Sequence, residues 1–310
     1  MSTPNNINAQ TNLISPPPAV LHTLISFPAP HILLATLNRP EKLNAIPRPQ
    51  HFALERLWEW FDDEPGLRVA VIMGSGRAFC AGADLKEWDG INDDTGDQDQ
   101  QRVAMVEMKE GCGGISNSRM PRGGFGGMSN RPGKKPILAA VDGICFGGGM
   151  EMAINCDMVI ASSSSTFGLP EVTIGVIALA GALPRLVKSV GRQRAAEMAL
   201  GGKAYTAEEM RGWGLVNEVV QVGKNGKKEE EGKVLDAAMR WAKRIAGNSP
   251  DAVIVSREGL KLGWEGVAPD VATEILTKGW YGRMDKGENM VEGVKSFVER
   301  RKPVWRDSKL

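Results

Sequence analysis

The sequence predicts an α/β fold, with strands and helices alternating in the first two thirds and a helical region at the C-terminal end. Three observations carry this expectation. RVAVIMGSG and PILAAVDG are near-continuous apolar runs, the pattern of strands buried on both faces. Helical periodicities alternate with such strands to about Val222, and beyond it only helical patterns occur. Within the alternating region the stretch from Ala140 to Asp157, AVDGICFGGGMEMAINCD, reads as strand, three-glycine turn and helix.

Taken in order, residues 1–20 are rich in Asn, Gln, Pro and Ser and have little to bury, so a disordered arm is expected. The core is expected over 21–222. HTLISFP and HILLATLNRP form two short strands with Pro-containing turns, an antiparallel pair. Phe52, Leu54, Leu57, Trp58 and Phe61 recur at helical spacing and predict a helix from about Pro49 to Asp63, stopped by Glu64-Pro65-Gly66. After the RVAVIMGSG strand, Gly82 permits a tight turn and Asp84 is placed to cap a helix starting at Leu85. Residues 89–135 form a long variable loop with a short helix at Arg102–Lys109, and end in a segment too glycine-rich to pack a core. Further on, DMVIASSSSTFGLPEVTIG gives a strand, a polar turn and an apolar segment holding Glu171. IALAGALPRLVKSVG and RQRAAEMALGG are helices, and Thr206 with Glu209 matches a capping box. LVNEVVQV is the last strand. The region 223–310 begins with the charged GKNGKKEEEGK and continues as helices near 234–246, 251–262, 269–279 and 290–300.

A formal net charge of +1 offers no electrostatic case for nucleic acid or an anionic membrane. Cys80, Cys112, Cys145 and Cys156 fall in no metal-binding spacing, and the three histidines, His22, His31 and His51, all lie near the N-terminus. No metal site, no resident cofactor and no membrane span is expected. The final Ser308-Lys309-Leu310 matches the peroxisomal address that an import receptor reads at a C-terminus, so a peroxisomal location is expected.

The chemistry concentrates in the central stretch. Gly147, Gly148 and Gly149 leave the backbone bare at a helix start, where N–H groups lack intrahelical acceptors. Glu151 follows Gly148 by about one turn and faces the same space. An oxyanion donor with a nearby carboxylate suits acid–base chemistry, while a close-packed turn with a capping Glu fits the same residues.

Three glycine-flanked pieces then stand in order: FCAGADLKEW, GICFGGGMEMAINCD and FGLPEVTIG. With LNRPEKLNA, GLVNEVV and FVERRKP, they resemble the enoyl-CoA hydratase/isomerase family, the crotonase superfamily, from about His31 nearly to the end. The resemblance implies a crotonase-like spiral of ββα units with a helical C-terminal trimerisation region, as a homotrimer or homohexamer. It places the oxyanion-hole amides on Ala83 and Gly148 and the catalytic glutamates on Glu151 and Glu171. It implies CoA contacts at Leu43, Asn44, Ala45, Ala81, Asp84 and Lys86, with coenzyme A as part of the substrate. Presence of both glutamates points to an enoyl-CoA hydratase that adds water to a 2-enoyl-CoA.

Two departures bear on acyl specificity. VIALAGALPRL stands where a Gly-Gly-Thr-Gln-Arg run is common, and Leu169 replaces a polar residue two positions before the second glutamate. A double-bond isomerase, or a hydrolase or dehydratase of a branched or functionalised acyl-CoA, is the alternative within the family. RGGFGG, a run also met in RNA-binding segments, raises the alternative of a non-catalytic or RNA-binding protein on the same scaffold.

Overall fold

The computed structural model describes residues 13–87, 120–223 and 232–310. Its chief layer is a six-stranded sheet in the order β1-β2-β3-β5-β7-β10. β1 (Thr23–Ala29) runs antiparallel to β2 (Ile32–Leu37), as expected. β3 (Val69–Gly74), β5 (Ile137–Val141), β7 (Met158–Ser162) and β10 (Glu218–Val220) follow in parallel. A second sheet holds β4 (Ala78–Cys80), β6 (Ile144–Phe146) and β8 (Thr166–Gly168), with β9 (Tyr205–Thr206) antiparallel at its edge. β3, β5 and β7 of the first sheet each lead into the next strand of the second, β4, β6 and β8, and helical segments after β6 and β8 lead back to the first. Repetition of this unit makes the spiral of ββα units.

The apolar runs are explained by burial on both faces. Along β2, β3 and β5, residues Leu33, Ala35, Ala70, Ile72, Ala139 and Val141 enter one core. Their neighbours Ile32, Leu34, Val69, Val71, Leu138 and Ala140 enter another on the opposite face. This is the period-two alternation of a strand with no solvent side. In register, Ile72 stands between Ala35 and Ala139, so a large side chain meets two small ones.

Helix α1 (Arg48–Asp63) buries Phe52, Leu54, Leu57, Trp58 and Phe61. The opposite face of the sheet is covered by a helix from Lys233 to Ala246, through Val234, Ala237, Ala238, Met239, Ala242 and Ala246. The expected boundary near residue 222 is therefore not a boundary in packing, because this helix completes the sheet's second core. The later helices Pro250–Trp264, Pro269–Ile275 and Glu288–Val298 leave Leu260, Val294 and Phe297 exposed.

Two expectations for irregular segments are corrected. Residues 13–20 are not a loose arm: Ile14 N–H donates to Glu64 Oε2 at 2.9 Å, Trp60 Nε1 donates to Ser15 Oγ at 2.9 Å, and Val20 is buried. Met120–Lys135 is not a loop too glycine-rich to pack. Phe125, Gly126, Gly127, Met128 and Ser129 are all buried. The glycines cause this packing, because a Cβ on Gly127 would lie 2.4 Å from the backbone of Glu55, so bare backbone is what lets the segment lie against α1. Trp58 Nε1 donates to Gly126 O at 3.0 Å and Gly126 N–H to His51 Nδ1 at 2.9 Å. RGGFGG is thus mostly interior and unsuited to gripping RNA. The expected helix at 102–109 and Cys112 lie outside the described residues, as does most of GKNGKKEEEGK.

The predicted helix from Ile177 begins later, at Ala182, because Gly181 adopts a φ of 111°. The capping box of Thr206 and Glu209 forms as expected. Among the described residues no helix is long and apolar enough to cross a membrane, and no group of His, Cys, Asp and Glu is placed to hold a metal ion.

Candidate active site

The site forms where the second sheet ends. β4 runs into Ala81–Asp84, and Ala83 makes a parallel bridge to Ile46. In that bridge Ile46 N–H donates to Gly82 O at 2.9 Å and Asp84 N–H to Ile46 O at 3.3 Å. Residue 83 itself is skipped, so its N–H points away from Ile46. β6 runs through Gly147 into helix α2 (Gly148–Ile154), whose first N–H, that of Gly148, has no intrahelical acceptor. Neither amide is taken by a protein acceptor among the described residues.

The two turns touch. A Cβ built on Gly82 would lie 3.3 Å from Gly148 N. A Cβ on Gly147 would lie 3.2 Å from Glu171 Oε1 and 3.8 Å from Gly82 Cα. Ala83, Gly148 and Glu171 are therefore brought to one place from segments that are remote in sequence, with Gly82 and Gly147 between them at φ of 102° and 55°, a backbone that favours glycine.

Glu151 is one turn into α2 and 2 % exposed. Its Oε1 accepts the Ala180 N–H at 3.1 Å. Burial raises its carboxyl to about 7, with the Glu171 charge adding to the rise while backbone N–H donation and Arg185 oppose it. Glu171 opens a short 3-10 turn, Glu171–Ile174. Burial also raises its carboxyl above the usual range, and its Oε2 is buried without a hydrogen-bond partner among the described residues. An inward carboxylate oxygen with no protein donor is available to a ligand or a water.

The expected CoA contacts divide. Asn44 is buried, and its side chain is committed to the scaffold: Oδ1 accepts Arg39 N–H at 2.8 Å, and Nδ2 donates to Ser75 O at 2.9 Å and Ala78 O at 2.7 Å. Asp84 pairs with Arg39 at 2.7 Å and caps Lys86 N–H at 3.2 Å. These two carboxamide and carboxylate groups hold the turn rather than face a ligand. Leu43 and Ala81 are joined through their backbones at 3.0 Å, and Ala45 O accepts from Arg39 Nη1 at 3.2 Å. Lys86 is exposed at the mouth of this turn.

Sequence reasoning missed the residues behind the site. Phe125 packs its ring against Gly148, where a Cβ would stand 2.3 Å from the ring. Ser129, wholly buried, accepts Phe125 N–H at 2.8 Å and donates to Ala180 O at 2.7 Å. The one signal available was an aromatic residue set among glycines, which is the pattern of a ring pressed onto bare backbone.

Two unpaired amides beside two raised carboxyls suit an enzyme that polarises a carbonyl and moves protons next to it. The chain belongs to the enoyl-CoA hydratase/isomerase family, which it matches over residues 29–111 and 128–308. It is 56 % identical over 294 residues to a mevalonyl-coenzyme A hydratase of Beauveria bassiana, spanning 95 % of this chain and 98 % of that one. It is 48 % identical to the mevalonyl-coenzyme A hydratase of Aspergillus fumigatus over 94 % of this chain and 98 % of the relative. A carnitinyl-CoA dehydratase of Proteus mirabilis is 31 % identical over 89 % and 95 %. Among solved structures, an enoyl-CoA hydratase from Mycobacterium tuberculosis superposes with a TM-score of 0.75 at 30 % identity, covering 93 % of this chain and 99 % of that one. The chain is thus a crotonase-type protein whose relatives are CoA-thioester hydratases and dehydratases.

Proposed function

We propose that this protein is a CoA-thioester hydratase that interconverts a 3-hydroxyacyl-CoA and its 2-enoyl-CoA, with mevalonyl-CoA or a near analogue as the hydroxyacyl form. The observation that carries the reaction type is the meeting of Glu171 with the Gly82 and Gly147 turns, with Glu151 one helical turn away. The acyl group rests on the 56 % identity to a mevalonyl-coenzyme A hydratase across nearly the whole chain. It gives a branched, hydroxylated form to the acyl group, whose branching the sequence left open.

In the dehydration direction the C2–H and C3–O bonds break and a C2=C3 double bond forms. One carboxylate takes the C2 proton. The other carboxyl gives its proton to the departing hydroxyl, which leaves as water. Hydration is the reverse, with water split into a hydroxyl for C3 and a proton for C2. In both directions negative charge grows on the thioester oxygen, which the Ala83 and Gly148 N–H groups receive. One such donor is typically worth about 10²–10³ in kcat. A carboxyl near 7, as burial gives Glu151, is divided between acid and base forms at neutral pH and can serve either direction. Coenzyme A enters as part of the substrate.

Two further features belong to this reading. The exposed Val271, Ile275, Val294 and Phe297 are placed to cover contacts in a homotrimer or homohexamer. Ser308-Lys309-Leu310 serves as a peroxisomal address.

The test is direct. The purified protein is mixed with mevalonyl-CoA, and with a straight-chain 2-enoyl-CoA, and the conjugated-thioester absorbance is followed. Growth of the band with the first and its loss with the second is expected, with higher kcat/KM for the branched, hydroxylated acyl group. Conversion of a 3-enoyl-CoA to its 2-enoyl isomer without any hydration would overturn the reading.

A further inference from the structure

We infer that Ser129 is a positioning residue that holds the oxyanion amide of Gly148 and the carboxyl of Glu151 in one fixed relation. The inference rests on the roles proposed above for Gly148 and Glu151, neither of which Ser129 contacts directly.

The connection runs in two directions from one hydroxyl. On one side Ser129 Oγ accepts the Phe125 N–H at 2.8 Å, which fixes the backbone of Phe125. The Phe125 ring fills the space over Gly148, and His51 stacks edge-on against that ring with centroids 4.4 Å apart. On the other side the same hydroxyl donates to Ala180 O at 2.7 Å. Ala180 presents its own N–H to Glu151 Oε1 at 3.1 Å. Both peptide groups that flank the Ala180 Cα are therefore held, one by Ser129 and the other by Glu151.

The hydroxyl donates once and accepts once, in a site with no solvent exposure. The space around it is closed. A Cβ on Gly124 would lie 2.4 Å from Ser129 Oγ and 3.0 Å from Ala180 O, so no side chain at 124 can coexist with this arrangement. The segment that carries Ser129 is fixed elsewhere by independent contacts, among them Asn155 Nδ2 to Met128 O at 2.7 Å. Stability of the segment thus does not depend on Ser129 alone, and the Ser129–Ala180 bond is specific to the approach of Ala180 to Glu151.

Glu151 feels two charged groups, Glu171 and Arg185, besides the N–H groups that reach it. Loosening Ala180 removes a donor to its carboxylate, which favours the protonated form and moves its titration upward. Small displacements of this kind matter for rate, since about 1 Å of misplacement costs on the order of 10²-fold.

The experiment compares Ser129→Ala, Ser129→Cys and Asn155→Ala in the full chain. Glutamate side chains are labelled at the carboxyl carbon, and the Glu151 signal is identified by its loss in Glu151→Gln. Ser129→Ala is expected to raise the Glu151 midpoint by roughly half a pH unit or more. It should lower kcat by about 10- to 100-fold with KM little changed. Ser129→Cys, a weaker donor, should fall between it and the wild type, and it decides the matter if the alanine variant does not fold. Asn155→Ala should lower the melting temperature while leaving the Glu151 midpoint in place. A Glu151 midpoint in Ser129→Ala and Ser129→Cys equal to that of the wild type would overturn the inference. Absence of turnover in the wild type would sink the hydratase reading, and the titration would still decide the role of Ser129.

Discussion

The Phe125 ring occupies the place that a side chain on Gly148 would take, with the nearest ring carbon 2.3 Å from an ideal Cβ position. A residue from the glycine-rich segment thereby sets the height of an amide in α2, more than twenty positions away in the chain. Gly148→Ala is expected to displace either the ring or the helix start. Overpacking of this kind costs about 1–3 kcal/mol, and loss of one oriented donor about 10²–10³ in kcat. Adding Phe125→Ala to Gly148→Ala should recover part of the melting temperature and little of the rate. Recovery of both would show that the ring, and not the amide, limits the reaction.

The paired glutamates give the sharpest kinetic expectation. Glu151→Gln and Glu171→Gln should each lower kcat by about 10²–10⁴-fold. If the two act on one proton-transfer sequence, as proposed, the double variant should lose less than the product of the single losses. Full hydratase activity in Glu171→Gln would leave only Glu151 and the two amides as the working parts.

Burial of Glu151 also couples activity to stability. Its carboxyl stands near 7 in the folded chain against an ordinary 4.5, so the folded state favours the protonated form. The stability that this form contributes is complete below pH 4.5 and is lost as pH rises through 7. The difference corresponds to about 3 kcal/mol. Glu151→Gln, which carries no charge, should therefore gain stability over the wild type at pH 8.5 and match it near pH 4.5. Denaturant titrations at the two pH values measure this, and an equal difference at both would refute it.

Asn44 and Lys86, both tied by resemblance to CoA binding, are expected to behave differently. Asn44 has a φ of 56°, and its buried side chain makes three hydrogen bonds, so Asn44→Ala should destabilise the protein by about 2–4 kcal/mol. Lys86→Ala should leave stability unchanged within about 0.5 kcal/mol. If Lys86 meets the CoA phosphates, that variant raises KM for the CoA thioester and not for the matching pantetheine thioester. Equal KM changes for the two substrates would remove Lys86 from CoA recognition.

The C-terminal tripeptide is docked: Ser308 Oγ donates to Asp251 Oδ1 at 2.5 Å, Lys309 Nζ pairs with Glu288 at 2.5 Å, and Lys134 Nζ donates to Leu310 O at 2.8 Å. A reporter carrying only the last ten residues should enter peroxisomes, since it lacks these partners. A cytosolic reporter would refute the address.

Much of this protein was determined by local pattern. Continuous apolar runs at 69–74 and 137–141 specify strands with no wet face, and both cores that sandwich the sheet are built from their alternate residues. The glycines at 147–149 and Glu151 pointed to the candidate site, because a backbone donor needs bare chain beside it, while Ala83 and Glu171 joined them only through the family resemblance. What only the tertiary structure decided lies where side-chain pattern is silent. A run such as RGGFGG offers no periodicity, so nothing in it tells a solvent loop from one pressed against Glu55 and Gly148. The same holds for Ser129, one short polar residue whose two hydrogen bonds reach residues 4 and 51 positions away. Periodicity reports which face of an element is buried, and it carries no information about which distant backbone will arrive to bury it.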